Sequence, residues 1–286
     1  MALQLGLDKS AAVDVGPDDA GVHQIAADLA YVRLAIVNVI LYGEPGVPDW
    51  VLVDAGLMAT ERQIIEAAER RFGTSPPSAI ILTHGHFDHV GSLEGLLRHW
   101  DVPVYAHALE HPFLDGRQSY PPPDAANKGL MARLSPLFPR GPIDIGDHLT
   151  ALPADGTVPE MAGWRWLHTP GHTPGHVSLW HPTRRQLIAG DAFITTGQES
   201  VYKAATQQLE MHGPPQYFTP DWVDAGSSVR ALAELEPELA ITGHGRPVGG
   251  PLLRSALHHL ADEFEVIAVP AHARAGIGNG SDRGRS

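Results

Sequence analysis

The chain has 286 residues, no cysteine and a formal net charge of -13, long enough for one large domain or two small ones with a substantial core. Its acidic balance argues against a nucleic-acid partner, because affinity for polyanions rests largely on Lys and Arg neutralising phosphates. The missing cysteines exclude disulfides, thiolate metal ligands and a thiol nucleophile. A membrane span needs ~20 apolar residues, and the longest candidate, Leu34 to Leu41, is interrupted by Asn38. Met1 to Asp8 lacks the basic and long apolar regions of a signal peptide, so a cytoplasmic location is expected.

In chain order, Tyr31 to Tyr42 and Trp50 to Val53 read as paired strands around the Gly43-Glu44-Pro45-Gly46 turn. Asp54 closes the second of them and reads as a strand-end turn residue. A helix is predicted over Glu61 to Phe72. Thr60 caps it, Gln63 completes a capping box, Ile64, Ile65, Ala68 and Phe72 make an apolar face, and Gly73 ends it. The apolar run Ala79 to Leu82 then leads into His84-Gly85-His86-Phe87-Asp88-His89, with a helix start at Val90 to Leu93. On a continued strand Asp88 and His89 would diverge. A sharp turn at Gly85 lets imidazoles and a carboxylate converge on one ion at about 2.0–2.2 Å. In a chain with 17 histidines, two close together mean little. Three histidines and an aspartate within six residues, just past a buried strand, are a metal-site signal.

Residues 111 to 142 are too Pro-rich for regular core structure and carry Phe113, Tyr120 and Phe138. They read as a lid or as ordinary surface packing. Further on, Trp164 to Leu167 and Val177 to Trp180 have strand composition and flank Thr169-Pro170-Gly171-His172-Thr173-Pro174-Gly175-His176. Pro-Gly pairs hold such a turn at low entropic cost. Spacing does not decide which of His172 and His176 is a ligand and which donates to a carbonyl or carboxylate behind it. Asp191 ends the strand-like run Gln186 to Gly190, and residues 193 to 222, with Ile194, Tyr202 and Tyr217, form a second candidate lid. A helix is predicted from about Ser228 to Leu235, stopped by Pro237, and Leu239 to Thr242 leads into Gly243-His244-Gly245. Each of Asp191 and His244 alone would be a turn or surface residue. Four repetitions of strand end, glycine and ligand outweigh those separate readings. Residues 1–272 are expected to form one α/β domain, and the Gly-, Arg-, Asp- and Ser-rich segment 273–286 a disordered tail.

With these motifs in this order, residues 30 to 250 strongly resemble the metallo-β-lactamase-fold superfamily of metallohydrolases. The resemblance implies a four-layer αβ/βα sandwich of two mixed sheets flanked by helices. It implies that His84, His86 and His172 hold one metal, that Asp88, His89 and His244 hold a second, and that Asp191 bridges both. His176 and Asp54 would then support the ligands from behind.

Two metals about 3.5–4 Å apart can share a water, lower its pKa and polarise a substrate oxygen. The nucleophile is then hydroxide, with Asp88 placed to orient it or to receive its proton. Ligands of oxygen and nitrogen suit Zn, with Mn, Fe or Co as alternatives. The expected substrate is a small, partly apolar ester, lactone or thioester, with Phe113, Tyr120, Phe138, Ile194, Tyr202 and Tyr217 as candidate pocket residues. Family departures narrow the choice. The bridging aspartate disfavours a β-lactamase. Only 42 residues follow His244, against the longer glutathione-holding region of hydroxyacylglutathione hydrolases. Lactonases of this fold place a Tyr where this chain has Ile194. A one-iron dioxygenase resembling the persulfide dioxygenases is the main alternative, with phosphodiester and β-lactam hydrolysis behind it. The lids also offer a contact for a homodimer.

Overall fold

A computed structural model describes residues 5–13, 16–19, 21–124, 139–141, 143–197 and 209–277. Between residues 29 and 81 neighbouring side chains go to different cores. Leu29, Tyr31, Ile40, Val51, Val53, Ala79 and Ile81 share one face, while Ala30, Val32, Val39, Leu41, Leu52 and Ile80 share the other, and all are buried. Strands buried on both faces require a packed layer on each side.

After β1 (Leu5–Gly6), the chain lays down a seven-stranded sheet in sequential order. Its strands are β2 (Val22–Ala26), β3 (Leu29–Leu34), β4 (Val37–Tyr42), β5 (Val51–Val53), β6 (Ala79–Ile81), β7 (Val104–Ala106) and β8 (Leu149–Ala151). Pairing is antiparallel up to β5 and parallel from β5 to β8. The second sheet is built from β9 (Arg165–His168), β10 (Val177–His181), β11 (Gln186–Gly190), β14 (Leu239–Thr242) and β15 (Val248–Gly249), in the order β15-β14-β11-β10-β9. Only β11 and β14 run parallel in it. A third, small sheet joins β1 to β13 (Leu209–His212) and β12 (Ile194–Thr196).

Val177, Leu179, Ile188 and Ile241 meet the inner face of the first sheet in a core shared by the two sheets. Outside the first sheet, helices α1 (Glu61–Phe72) and α3 (Leu93–Trp100) bury Ile64, Ala68, Phe72, Leu93 and Leu96. Outside the second, α5 (Trp222–Glu234), α6 (Gly250–Asp262) and α7 (Phe264–Ile267) bury Val229, Leu232, Leu253, Leu257 and Phe264. Two short helices, α2 (Phe87–Val90) and α4 (His111–Leu114), follow β6 and β7 in the chain. The result is the four-layer helix-sheet-sheet-helix sandwich. Each buried Leu, Ile or Phe contributes roughly 1.5–3 kcal/mol, so three continuous cores dominate the stabilisation.

Several local expectations change. The run 31–42 is a hairpin rather than one strand, because Ala35 takes a left-handed conformation with φ of 57°. Thr60 makes no capping bond; its hydroxyl donates to the Leu57 carbonyl at 2.7 Å. Helix α5 begins at Trp222, before the predicted Ser228, because Asp221 accepts from the N–H groups of Val223 and Asp224. Among the described residues of the second candidate lid, Ile194–Thr196 and Leu209–His212 are strands, with Phe193 and Met211 in the core. The expected tail is helical as far as Ile277, as α8 (Ala271–Ile277). There the Arg274 guanidinium donates to the carbonyls of Val269 and Val266, and Ala273 packs on the outer core. Residues 278–286 lie outside the described residues, as do the candidate pocket residues Phe138 and Tyr202.

This topology positions the candidate ligands. Strands β5 and β6 are parallel, as are β11 and β14, so the loops carrying Asp54, His84 to His89, Asp191 and His244 leave carboxyl ends of strands. The open edge of a sandwich at strand carboxyl ends is where side chains can converge without disturbing the cores.

Candidate metal centre

The loop after β6 is held by Asp54. Its carboxylate accepts from the Thr83 N–H and hydroxyl, each at 2.8 Å, and lies 2.8 Å from His89 Nδ1. With Nδ1 turned to that carboxylate, His89 presents Nε2 to the centre. Helix α2 then places Asp88 and His89 on one short turn. Gly85, expected for a sharp turn, is needed for space instead: a Cβ there would meet the Tyr120 hydroxyl at 2.6 Å.

The structure separates the two histidines that spacing left undecided. His172 Nε2 faces His86 Nδ1 across 2.9 Å, with its own Nδ1 held by the Thr219 hydroxyl at 3.0 Å. The Nε2 of His176 instead accepts the backbone N–H of Asp191 at 2.9 Å, and its Nδ1 reaches the Thr169 carbonyl at 3.0 Å. His176 therefore orients the Asp191 segment.

Asp191 lies in the middle. Its Oδ2 is 3.4 Å from His172 Nε2 and 3.1 Å from His244 Nε2, while its Oδ1 is 3.5 Å from His89 Nε2. Asp88 Oδ2 is 3.3 Å from His244 Nε2. Three overlapping groups result: His84, His86 and His172; His84, His89 and Asp191; and Asp88, His89 and His244. Within each, the ligand atoms lie within 4.8 Å of one another, and every member is buried. The donor set fits metal ions on a direct test. His84 Nε2, His89 Nε2 and Asp191 Oδ1 are buried with no hydrogen-bond partner, an arrangement that is costly unless a cation fills it.

The electrostatics divide the centre. Burial holds His84 and His172 well below the usual imidazole range, helped by the neighbouring histidines, and lowers His86 to about 4. These rings are neutral and ready to donate lone pairs. Burial alone would depress His89 and His244 as well, but Asp191 with Asp54 raises the first, and Asp191 with Asp88 raises the second to about 10. Burial would push Asp191 up, yet His244 and His89 hold it well below the usual carboxylate range.

Two residues escaped the sequence reading. Asn38, visible only as the polar break in an apolar run, is buried and donates to the carbonyls of Thr242 and Gly245 at 2.9 and 2.7 Å, fixing the His244 loop. The Ile36 carbonyl in the same hairpin turn lies 2.6 Å from His244 Nδ1. Glu110, buried beside the His84 and His172 loops, had no sequence signal.

Beside His86 and His172 opens a cavity of about 140 Å³ walled by Phe113, Tyr120, Tyr217 and Phe218. Phe113 stacks on Tyr120 at 4.0 Å, and Tyr120 and Phe218 lie 4.5 and 5.4 Å from the His86 ring. Ile194 is elsewhere. Its pairing with His212 buries it beside a separate small cavity behind Tyr217.

The profile of the Metallo-beta-lactamase superfamily matches residues 32–244, spanning every one of these candidate ligand positions. The chain belongs to the metallo-beta-lactamase superfamily. It is 49% identical over 251 residues to the "Probable metallo-hydrolase YflN" of Bacillus subtilis (strain 168), covering 86% of this chain and 92% of that protein. A hydroxyacylglutathione hydrolase of Erwinia tasmaniensis is 30% identical over 135 residues, but the match spans 46% of this chain and 40% of that enzyme. Among solved structures, the di-iron-bound form of TTHA1623 superposes with a TM-score of 0.52 at 26% identity, covering 79% of this chain and 95% of that one. Among the described residues of this superfamily member, no helix is long and apolar enough to cross a membrane.

Proposed function

We propose that this metal-dependent hydrolase of the metallo-beta-lactamase superfamily holds two divalent cations and cleaves a small, partly apolar ester, lactone or thioester. The observation that carries the reading is Asp191, one carboxylate within 3.5 Å of histidines from both metal-holding groups. His84, His86 and His172 would hold one cation and Asp88, His89 and His244 the other, with Asp191 shared. Bound there, the cations supply a water of lowered pKa and polarise the substrate carbonyl.

The chain's own residues do the rest. Asp88, whose side chain is 11% exposed where Asp191 is 2%, is the carboxylate best placed to take a proton from the attacking water and pass it to the leaving group. Tyr120, Phe113 and Phe218 give the acyl part an apolar wall beside His86. That wall excludes water from the scissile carbonyl and favours an uncharged acyl chain over a charged one.

Zinc suits the all-nitrogen-and-oxygen donor set. Iron is the second reading for the metal, favoured by the similarity to the di-iron-bound structure. A one-iron oxygenase using His84, His172 and Asp191 would leave the gathered Asp88, His89 and His244 without a task. Metal analysis together with a panel of lactones, thioesters, phosphodiesters and β-lactams tests the proposal. Two metal equivalents with oxygen-independent ester or lactone hydrolysis support it; one iron per chain with oxygen consumption overturns it.

A further inference from the structure

Glu110 is a wholly buried carboxylate that the reaction above does not use. One of its oxygens, Oε2, accepts the Gly85 N–H at 2.9 Å and also the Tyr120 hydroxyl. The other, Oε1, accepts the Gly175 N–H at 2.7 Å. Gly85 stands between His84 and His86, and Gly175 lies in the turn that begins its approach to the centre at His172. A single side chain therefore ties together the two loops that supply all three histidines of one metal-holding group.

Both glycines are shaped to this contact. A Cβ on Gly175 would meet Glu110 Cγ at 2.8 Å, and one on Gly85 would meet the Tyr120 hydroxyl at 2.6 Å and Glu110 Oε2 at 3.4 Å. The second group is anchored by other residues: Asp54 holds His89, and the Ile36 carbonyl and Asn38 hold the His244 loop. Asp54 serves both halves, since it also holds Thr83 beside His84, whereas Glu110 reaches only the loops of the first group.

We propose that Glu110 is a positioning residue that sets the metal affinity of the His84, His86 and His172 group independently of the Asp88, His89 and His244 group. Its two oxygens fix the distance between the His84–His86 loop and the His172 loop, and so the size of the opening into which three neutral imidazoles point. The inference rests on the two-metal reading. A glutamine would keep one acceptor and turn an NH2 group against a backbone N–H, releasing one loop while leaving the packing volume nearly unchanged.

The test follows zinc release from the holoprotein to a chromophoric chelator, for the wild type, Glu110→Gln, Glu110→Asp and Tyr120→Phe. The expected wild-type result is two equivalents. In Glu110→Gln one equivalent is held about 10–100-fold more weakly, the range for residues that orient ligands, and the other is unchanged. Glu110→Asp, which keeps both acceptors on a shorter arm, shifts the same equivalent less and keeps the measurement open should the glutamine variant not fold. Tyr120→Phe keeps both Glu110 links to the backbone and removes the second acceptor of the Gly85 N–H, at 3.1 Å, so it shifts the same equivalent less than Glu110→Gln does. In a His172→Ala background, which already lacks the group, Glu110→Gln adds nothing to release of the remaining metal. Equal weakening of both equivalents, or of neither, overturns the inference. A wild-type chain that takes up only one metal overturns the two-metal reading itself, before any variant is compared.

Discussion

The backbone N–H of Asp191 donates to His176 Nε2 at 2.9 Å. A histidine that accepts a backbone proton is neutral and cannot offer the same nitrogen to a cation, so His176 aims the central carboxylate from behind. Burial lowers it to about 3, which keeps it neutral across the working range of pH.

His176→Ala therefore acts through Asp191. Metal affinity is expected to fall about 10–100-fold while the fold survives, as read by metal content after dialysis and by circular dichroism. Unchanged metal retention would remove His176 from the site.

Gly243 is a sharper test of where the centre sits. A Cβ there would meet Asp191 Oδ1 at 2.1 Å and His89 Cε1 at 2.8 Å. Gly243→Ala is expected to abolish binding of at least one metal and to reduce turnover at least 100-fold. Turnover near that of the wild type would show that Asp191 and His89 are not used in this geometry.

The raised imidazoles give metal uptake a pH dependence. Folded His244 titrates at about 10 against 6.5 in the unfolded chain. In the metal-free protein its contribution to stability is therefore full below pH 6.5 and is lost as pH rises through about 10. A cation must displace that proton and the one on the likewise raised His89, so affinity at the Asp88, His89 and His244 group should rise about tenfold per pH unit for each proton displaced as pH approaches 10. Calorimetry in buffers of different ionisation enthalpy counts the protons released. The two trends oppose each other: the stripped chain melts lower at pH 9 than at pH 7, while the same chain binds zinc more tightly.

Phe218 packs against His86 and Phe87 at ring distances of 5.4 and 6.0 Å, on the wall of the mouth. Phe218→Ala should raise KM for an apolar ester roughly tenfold, the loss of about 1.4 kcal/mol of contact, with a smaller change in kcat. A pure kcat effect in steady-state kinetics would move Phe218 from substrate binding to support of the metal ligands.

Much of the architecture was legible along the chain because alternating burial and strand-end glycines are local signals. The strands Gln186–Gly190 and Leu239–Thr242 and the helix Glu61–Phe72 fall where periodicity places them. The Ala35 turn was not legible, since nothing in its side chain marks a left-handed residue. The true start of helix α5 at Trp222 was not legible either, since its cap, Asp221, sits in a segment that otherwise reads as lid.

The sequence by itself determined the family and the residues with ligand chemistry, because metal donors are a short list of residue types and their order along the chain is preserved in folding. Spacing left His172 and His176 open and the family resemblance put His172 forward; the tertiary structure showed which nitrogen of each turns where, and that Ile194 lies away from the mouth. It alone showed Asn38 and Glu110 as anchors. Those distinctions depend on which nitrogen or oxygen a side chain turns toward a partner 65 residues away for Gly175 and Glu110, and 207 for Gly245 and Asn38. A hydrogen bond of that separation leaves no periodic trace in a sequence.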